Sequence, residues 1–166
     1  MSAIFERRSI RKYTDKEVSE ELIEKILRAG MAAPSAGNQQ PWHFIVIDDR
    51  DVLIEIPKFH PNSRMLMEAS RAIVVCGDLK LQKYEGYWIQ DCSAAMENML
   101  LMVQELGLGA VWLGVYPVEE RVKGVVKLLN LPENIMPLSI ISIGYPDEKR
   151  DPVDRYNPSR IHRNRW

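Results

Sequence analysis

Three arginines and a serine fall within five residues near the N-terminus, in Arg7-Arg8-Ser9-Ile10-Arg11. Guanidinium forks hold phosphate oxygens two at a time, and a serine hydroxyl supplies one more donor. The stretch reads as an anion clamp, although an isolated cluster of this kind also reads as a solvated basic face beside the terminus. A second candidate, Pro34-Ser35-Ala36-Gly37-Asn38-Gln39-Gln40-Pro41-Trp42, carries no charge and is dense in amides and hydroxyls. A segment that merely connects is usually charged or flexible, so this loop has a claim to a binding role.

Other chemistries are poorly served. Gly107-Leu108-Gly109 lies between a helical pattern and a strand, the reverse of the strand–glycine–helix order of a dinucleotide fingerprint. His43, His60 and His162 are scattered, with no metal-ligand spacing between them. His43 stands at a strand start and reads as packed. Asp91, near the start of the mostly apolar long helix, reads as partly buried, paired and structural. Cys76 and Cys92 sit among apolar residues and suggest neither a disulfide framework nor a zinc site. No nucleophile–base arrangement for hydrolysis is evident. An enzyme with neither nucleophile nor metal borrows its chemistry from a cofactor.

The elements that must position these groups follow from pattern. Residues 2–8 predict a short helix capped by Ser2, bringing the arginines to its end. Ser19 caps a helix striped by Leu22, Ile23, Ile26 and Leu27, which Gly30 to Pro34 should terminate. Strands are expected at 43–47, 72–76, 110–116 and 138–145, and the apolar 72–76 run should be central. Short helices are expected at 51–57 and around 64–69. The longest helix runs from about 87 to 106 and ends at Gly107; another covers 119–129. Asn62 lies in a second irregular loop, 60–63. Residues 146–166, rich in Pro, Arg and Asn, predict an extended arm. Tyr84, Tyr87 and Trp88, ahead of the long helix, read either as part of a lid or as packing.

At 166 residues, 46% hydrophobic and 27% charged, the chain predicts one α+β or α/β domain spanning 1–166. A net charge of −1 argues against a general nucleic-acid or membrane-surface binder. The charge is unevenly spread, however. Residues 1–12 hold four bases and one acid, and 149–166 hold six and two. Of 22 bases and 23 acids in the chain, 12 and 20 are left for the middle. If the basic ends meet, they form one positive pocket. Free apolar thiols, no signal-like start and no apolar run of spanning length predict a cytoplasmic protein.

Taken together, RRSIRKY at 7–13, AAPSAGNQQPW at 32–42, the EAS–strand stretch at 68–76, QDCSAAMENMLLMVQELGLGAVWLG at 90–114 and IHRNRW at 161–166 resemble the FMN-dependent nitroreductases. The resemblance covers nearly the whole chain. It implies a three-layer α+β fold with a central, mostly antiparallel sheet flanked by helices, in an interlocked homodimer with FMN at each end of the interface. It assigns Arg7, Arg8, Ser9 and Arg11, with Arg163 and Arg165 of the tail, to the cofactor phosphate. It brings Pro34, Ser35, Ala36, Asn38 and Gln39 to the flavin ring from the partner subunit. Asn62 would meet the ring's pyrimidine edge, and Leu113 and Gly114 would offer backbone amides near N5 and O4. The implied activity is hydride transfer from NAD(P)H through flavin N5 to nitroaromatic, quinone or similar acceptors, in ping-pong fashion. Two other readings keep the same residues: an FMN enzyme that dehalogenates or fragments its substrate, and a non-catalytic flavin-binding module.

Overall fold

The computed structural model describes residues 2–166 and has four strands in one sheet. They are β1 (Trp42–Ile47), β2 (Arg71–Asp78), β3 (Gly109–Gly114) and β4 (Ile135–Gly144), in spatial order β1-β2-β4-β3 with every neighbour antiparallel. The helices are α1 (Ala3–Glu6), α2 (Glu20–Met31), α3 (Arg50–Glu55), α4 (Trp88–Glu105) and α5 (Glu119–Leu129). The expected strands and helices are all present, and the apolar β2 is internal to the sheet.

Strand alternation splits the core into two layers. Ile73 and Val75 of β2 join Ile141 and Ile143 of β4 beneath α2 and α4, packed on Ile26, Met96 and Met99. Ala72, Val74 and Cys76 face the other side, with Ile140, Leu53 of α3 and Val125 of α5. A sheet covered by helices on both faces makes three layers. Because α4 packs on the sheet and on α2, its apolar arc is broad, as its sequence indicates.

The expected stop of α2 within 30–34 holds, since the helix ends at Met31, one residue past Gly30. A Cβ at Gly30 would stand 2.9 Å from both Cγ and Sδ of Met99, so the glycine lets α2 approach α4 closely. One expectation needs correction: His43 is not packed. Alternation buries Trp42 and turns His43 outward, its side chain 53% exposed and 3.7 Å from the Asp78 carboxylate. Gly107 does stop α4, with a φ of +70° that L side chains avoid.

The N-terminal segment is stitched to the body where the site forms. Ile10 N–H donates to Ala110 O at 2.9 Å, so residues 9–10 lie along the outer edge of β3. Buried Tyr13 donates its hydroxyl to Ile10 O at 2.8 Å and takes a hydrogen bond from Ser142 Oγ at 2.6 Å. Burial pushes the Tyr13 phenol well up, which keeps that proton in place. The fully buried Met99 is central to the α2–α4–sheet layer. Met99→Ala should destabilise the protein by about 2–5 kcal/mol, read as a lowered denaturant midpoint with unchanged slope.

Candidate functional site

The two basic ends do meet. Thr14 N–H donates to Tyr145 O and Asp147 N–H to Lys12 O, each at 2.9 Å, so residues 12–14 run against the start of the arm. The Glu148 carboxylate accepts from the Arg11 amide at 2.6 Å and from Arg150 Nε at 2.9 Å. Arg8 donates to the Asp151 carbonyl. These ties enclose a cavity of about 200 Å³ lined by Arg7, Arg8, Ser9, Arg11, Arg150 and Arg155.

Arg7 pairs with Glu97 at 3.3 Å and Arg150 with Glu148 at 2.9 Å. Among the described residues, Arg8, Arg11 and Arg155 have no carboxylate partner. Five guanidiniums and a hydroxyl, three of the charges unbalanced, are donors of the kind that hold an anion such as phosphate. The tail contributes Arg150 and Arg155 to this cavity. Arg163 and Arg165, the tail arginines expected here, do not line it; they lie on the exposed stretch 151–166.

Arg11 also lines a second cavity of about 500 Å³, with Asn62, Arg64, Leu113, Gly114 and Arg121 among its walls. Arg11 thus joins the anion cradle to a roomier space beside the edge of β3. Hydrogen-bond direction alternates along an edge strand. Val115 N–H donates to Leu138 O at 3.1 Å, and the register pairs Leu113 with Ile140, so the odd positions turn inward to β4. The backbone of Ala110, Trp112 and Gly114 therefore faces outward. Ala110 O takes Ile10, while Gly114 O takes His60 Nε2 and Arg121 Nη1, both at 2.9 Å. The Gly114 amide is left facing the cavity. Of the expected pair, Gly114 presents its amide and Leu113 does not.

Gly114 has no crowding to relieve. A Cβ there would meet no protein atom within 4 Å, and its φ lies outside the left-handed range. What the missing side chain preserves is open space at the cavity wall. His60, the neighbouring residue that sequence reasoning left unassigned, is 1% exposed. A carbonyl can only accept, so His60 donates from Nε2, and its buried Nδ1 has no partner. Burial, reinforced by the Arg121 charge, holds this imidazole below its ordinary value and therefore neutral.

The uncharged loop lies elsewhere. Its turn, Ala36–Asn38, is anchored on α4, where Asp91, 4% exposed, accepts from Ala36 N–H at 2.9 Å and Gln39 Nε2 at 2.6 Å. Gln39 Oε1 accepts from the amides of Lys83 and Tyr84. Expected as a ring donor, Gln39 is instead a buried strut with both ends of its amide engaged. Ser35 Oγ accepts from Gln40 N–H at 3.0 Å, and Asn38 is exposed with a φ of +53°. Pro34, Ser35, Ala36 and Asn38 line neither cavity. Tyr84 packs beside Gly37 and edge-on to Tyr87, whereas Trp88 is buried against Gly77.

Cys76 and Cys92 are buried free thiols, both pushed up to about 12 by burial, and hence unreactive. Among the described residues no cluster of His, Cys, Asp and Glu could hold a metal ion, and no helix is long and apolar enough to cross a membrane.

Comparison with known proteins gives one consistent result. The model of the nitroreductase family matches residues 4–72 and 82–145. A protein of Archaeoglobus fulgidus named "Putative NADH dehydrogenase/NAD(P)H nitroreductase" is 55% identical, over 100% of this chain and 98% of its own length. An FMN-dependent nitroreductase structure from Clostridium difficile superposes with a TM-score of 0.92 at 33% identity, covering 99% of both chains. The NADPH:FMN oxidoreductase of Vibrio harveyi, solved with NAD+, gives 0.87 at 26% identity, over 99% of this chain and 76% of that one.

Two predictions follow from these contacts. Asp91→Ala leaves the Ala36 amide and Gln39 without their acceptor, which should cost about 2–4 kcal/mol and speed hydrogen exchange across 34–39. Partial burial works to raise Glu148, but its hydrogen bonds from Arg11 and Arg150 outweigh that and hold it below its ordinary value. Its stabilisation is therefore present above the ordinary carboxylate range and lost as pH falls through the depressed value. Proteolysis within 146–156 should accelerate on that acidification, and Glu148→Gln should show the same susceptibility at neutral pH.

Proposed function

This chain belongs to the nitroreductase family, and from that premise we propose that it is an FMN-dependent NAD(P)H oxidoreductase acting on nitroaromatic, quinone or similar electrophilic acceptors. The observation that carries the reading is the 200 Å³ cradle of Arg7, Arg8, Ser9, Arg11, Arg150 and Arg155, joined through Arg11 to the cavity beside Asn62 and Gly114. One end offers charge-assisted donors suited to a phosphate. The other offers neutral amides and an open wall suited to a planar ring.

When bound, FMN would supply the chemistry of hydride transfer between NAD(P)H and the acceptor. The protein's own part is to bind and orient. Arg7, Arg8, Ser9 and Arg11 anchor the phosphate. The Gly114 amide and the Asn62 carboxamide donate toward ring atoms that gain negative charge, without adding a titrating group. Nitro and quinone acceptors suit such a site because each is electrophilic and carries oxygens that accept hydrogen bonds.

The working unit in this reading is a homodimer. Residues 151–166 are exposed throughout, with Tyr156 at 74% and Trp166 at 100%, and Ile4 and Phe5 of α1 are also bare. An arm of that character is suited to wrapping a second copy. The same assembly would let Pro34, Ser35, Ala36 and Asn38 reach the cofactor of the other subunit, since they line neither of the two cavities of their own subunit. Arg163 and Arg165 travel with the arm and are not assigned to their own subunit's phosphate.

The purified protein should be yellow, dimeric on gel filtration, and bleached by NADH or NADPH under anaerobic conditions, with colour restored by a nitro compound or quinone. A colourless protein that refuses added FMN would sink the reading. Arg7→Ala with Arg11→Ala removes two charge-assisted contacts worth about 1.5–3 kcal/mol each, so FMN affinity should fall more than a hundredfold with the fold intact. Gly114→Ala has room within the protein itself. It should leave the melting temperature nearly unchanged while weakening FMN binding, measured by flavin fluorescence.

A further inference from the structure

The carbonyl of Gly114 is held twice, by His60 Nε2 from the 56–63 segment and by Arg121 Nη1 from α5, both at 2.9 Å. A carbonyl oxygen has two acceptor sites, and here both are filled by side chains from separate elements. Two donors converging from different directions remove the freedom of that peptide to rotate. The Gly114 carbonyl belongs to the 114–115 peptide and its amide to the 113–114 peptide, which the pairing of Leu113 with Ile140 holds. With the clamp fixing the first plane and the sheet the second, the Gly114 backbone is set on both sides and its amide stays facing the 500 Å³ cavity.

The clamp is itself well supported. His60 is sealed from solvent, and its carbonyl accepts from Ser63 Oγ at 2.7 Å. Phe59 packs against Gly124 of α5, locking the 56–63 segment to the helix that carries Arg121. Arg121 also brings charge. It pairs with no carboxylate among the described residues, and the cavity it lines with Arg11 and Arg64 has no acidic side chain in its walls. A full positive charge beside an amide donor stabilises negative charge more than either group alone. A purely structural knot could use neutral donors and would have no reason to place an unbalanced guanidinium at this wall.

Resting on the FMN reading above, we propose that His60 and Arg121 are a pair of positioning residues: holding the Gly114 carbonyl from two sides, they keep the Gly114 amide aimed at the cofactor ring and set how strongly the site stabilises negative charge there. Neither side chain reacts. Their effect is on the redox equilibrium of the bound cofactor, not on the binding of its phosphate, which lies with the arginine cradle.

The test is a potentiometric titration of the FMN-loaded protein as wild type, Arg121→Met and His60→Leu, with FMN affinity and melting temperature measured alongside. Arg121→Met keeps the aliphatic packing of a half-buried helix residue, so it reads the proposal even if His60→Leu fails to fold. The expected result is at least a tenfold shift of the two-electron equilibrium toward oxidised FMN, about 30 mV, with an altered bound-flavin absorption band and little change in melting. Arg121→Lys, which restores charge without the guanidinium fork, should recover part of the shift. His60→Gln, whose amide can stand in for Nε2, should recover more than His60→Leu. An unchanged potential and spectrum in FMN-loaded Arg121→Met would overturn the proposal while leaving the oxidoreductase reading intact. Failure of the wild type to take up FMN would overturn both.

Discussion

Five guanidiniums share one small cavity, and three of them have no carboxylate to answer them. Two like charges about 6 Å apart at a protein surface repel by roughly 3 kcal/mol, less where water screens them. A chain does not gather such a cluster without ties strong enough to hold it. Three of the ties are backbone to backbone, Ile10 to Ala110, Thr14 to Tyr145 and Asp147 to Lys12, and a fourth runs from the Arg11 amide to the Glu148 carboxylate. Together they hold the N-terminal segment against β3 and the arm, and the unanswered positive charge makes the cavity suited to an anion.

The same logic runs along the edge of β3. Edge strands leave backbone groups unpaired, a liability that folded proteins cover or use. Ile10 covers the Ala110 carbonyl, the His60–Arg121 pair covers the Gly114 carbonyl, and the Gly114 amide is left at a cavity wall. The candidate site is thus assembled at a seam between the N-terminal segment, the arm, the 60–63 loop and the end of β3. No single element contains it. The two apolar layers matter to function because they hold those four pieces in fixed relation.

Periodicity and punctuation were enough to read most elements. The α4 stripe with its stop at Gly107, the stripe of α2, the apolar centre of β2 and the patternless arm each rest on local rules, and the structure follows them, although the Ser19 side chain makes no capping hydrogen bond. Misreadings occurred where a residue's meaning depends on a distant partner. Gln39 looks like a free amide until Asp91 takes one end and the 83–84 amides the other. His43 took the outward position by strand parity, which a one-residue change of strand start reverses. His60 gave no signal, because a lone histidine in a loop is silent until its neighbours in space are known.

The sequence by itself determined which chemistry is available: a basic N-terminal motif, basic residues in the tail, an uncharged loop, and no evident nucleophile or metal set. It also showed that the charges lie at the two ends of the chain around an acidic middle. Only the tertiary structure decided which tail arginines face the motif, Arg150 and Arg155, since that depends on where the arm pairs with residues 11–14. Only the sheet register decided that Gly114 and not Leu113 presents its amide. Residue type fixes which interactions are chemically available. Which of them meet is set by long-range hydrogen bonds and packing that link positions more than a hundred residues apart.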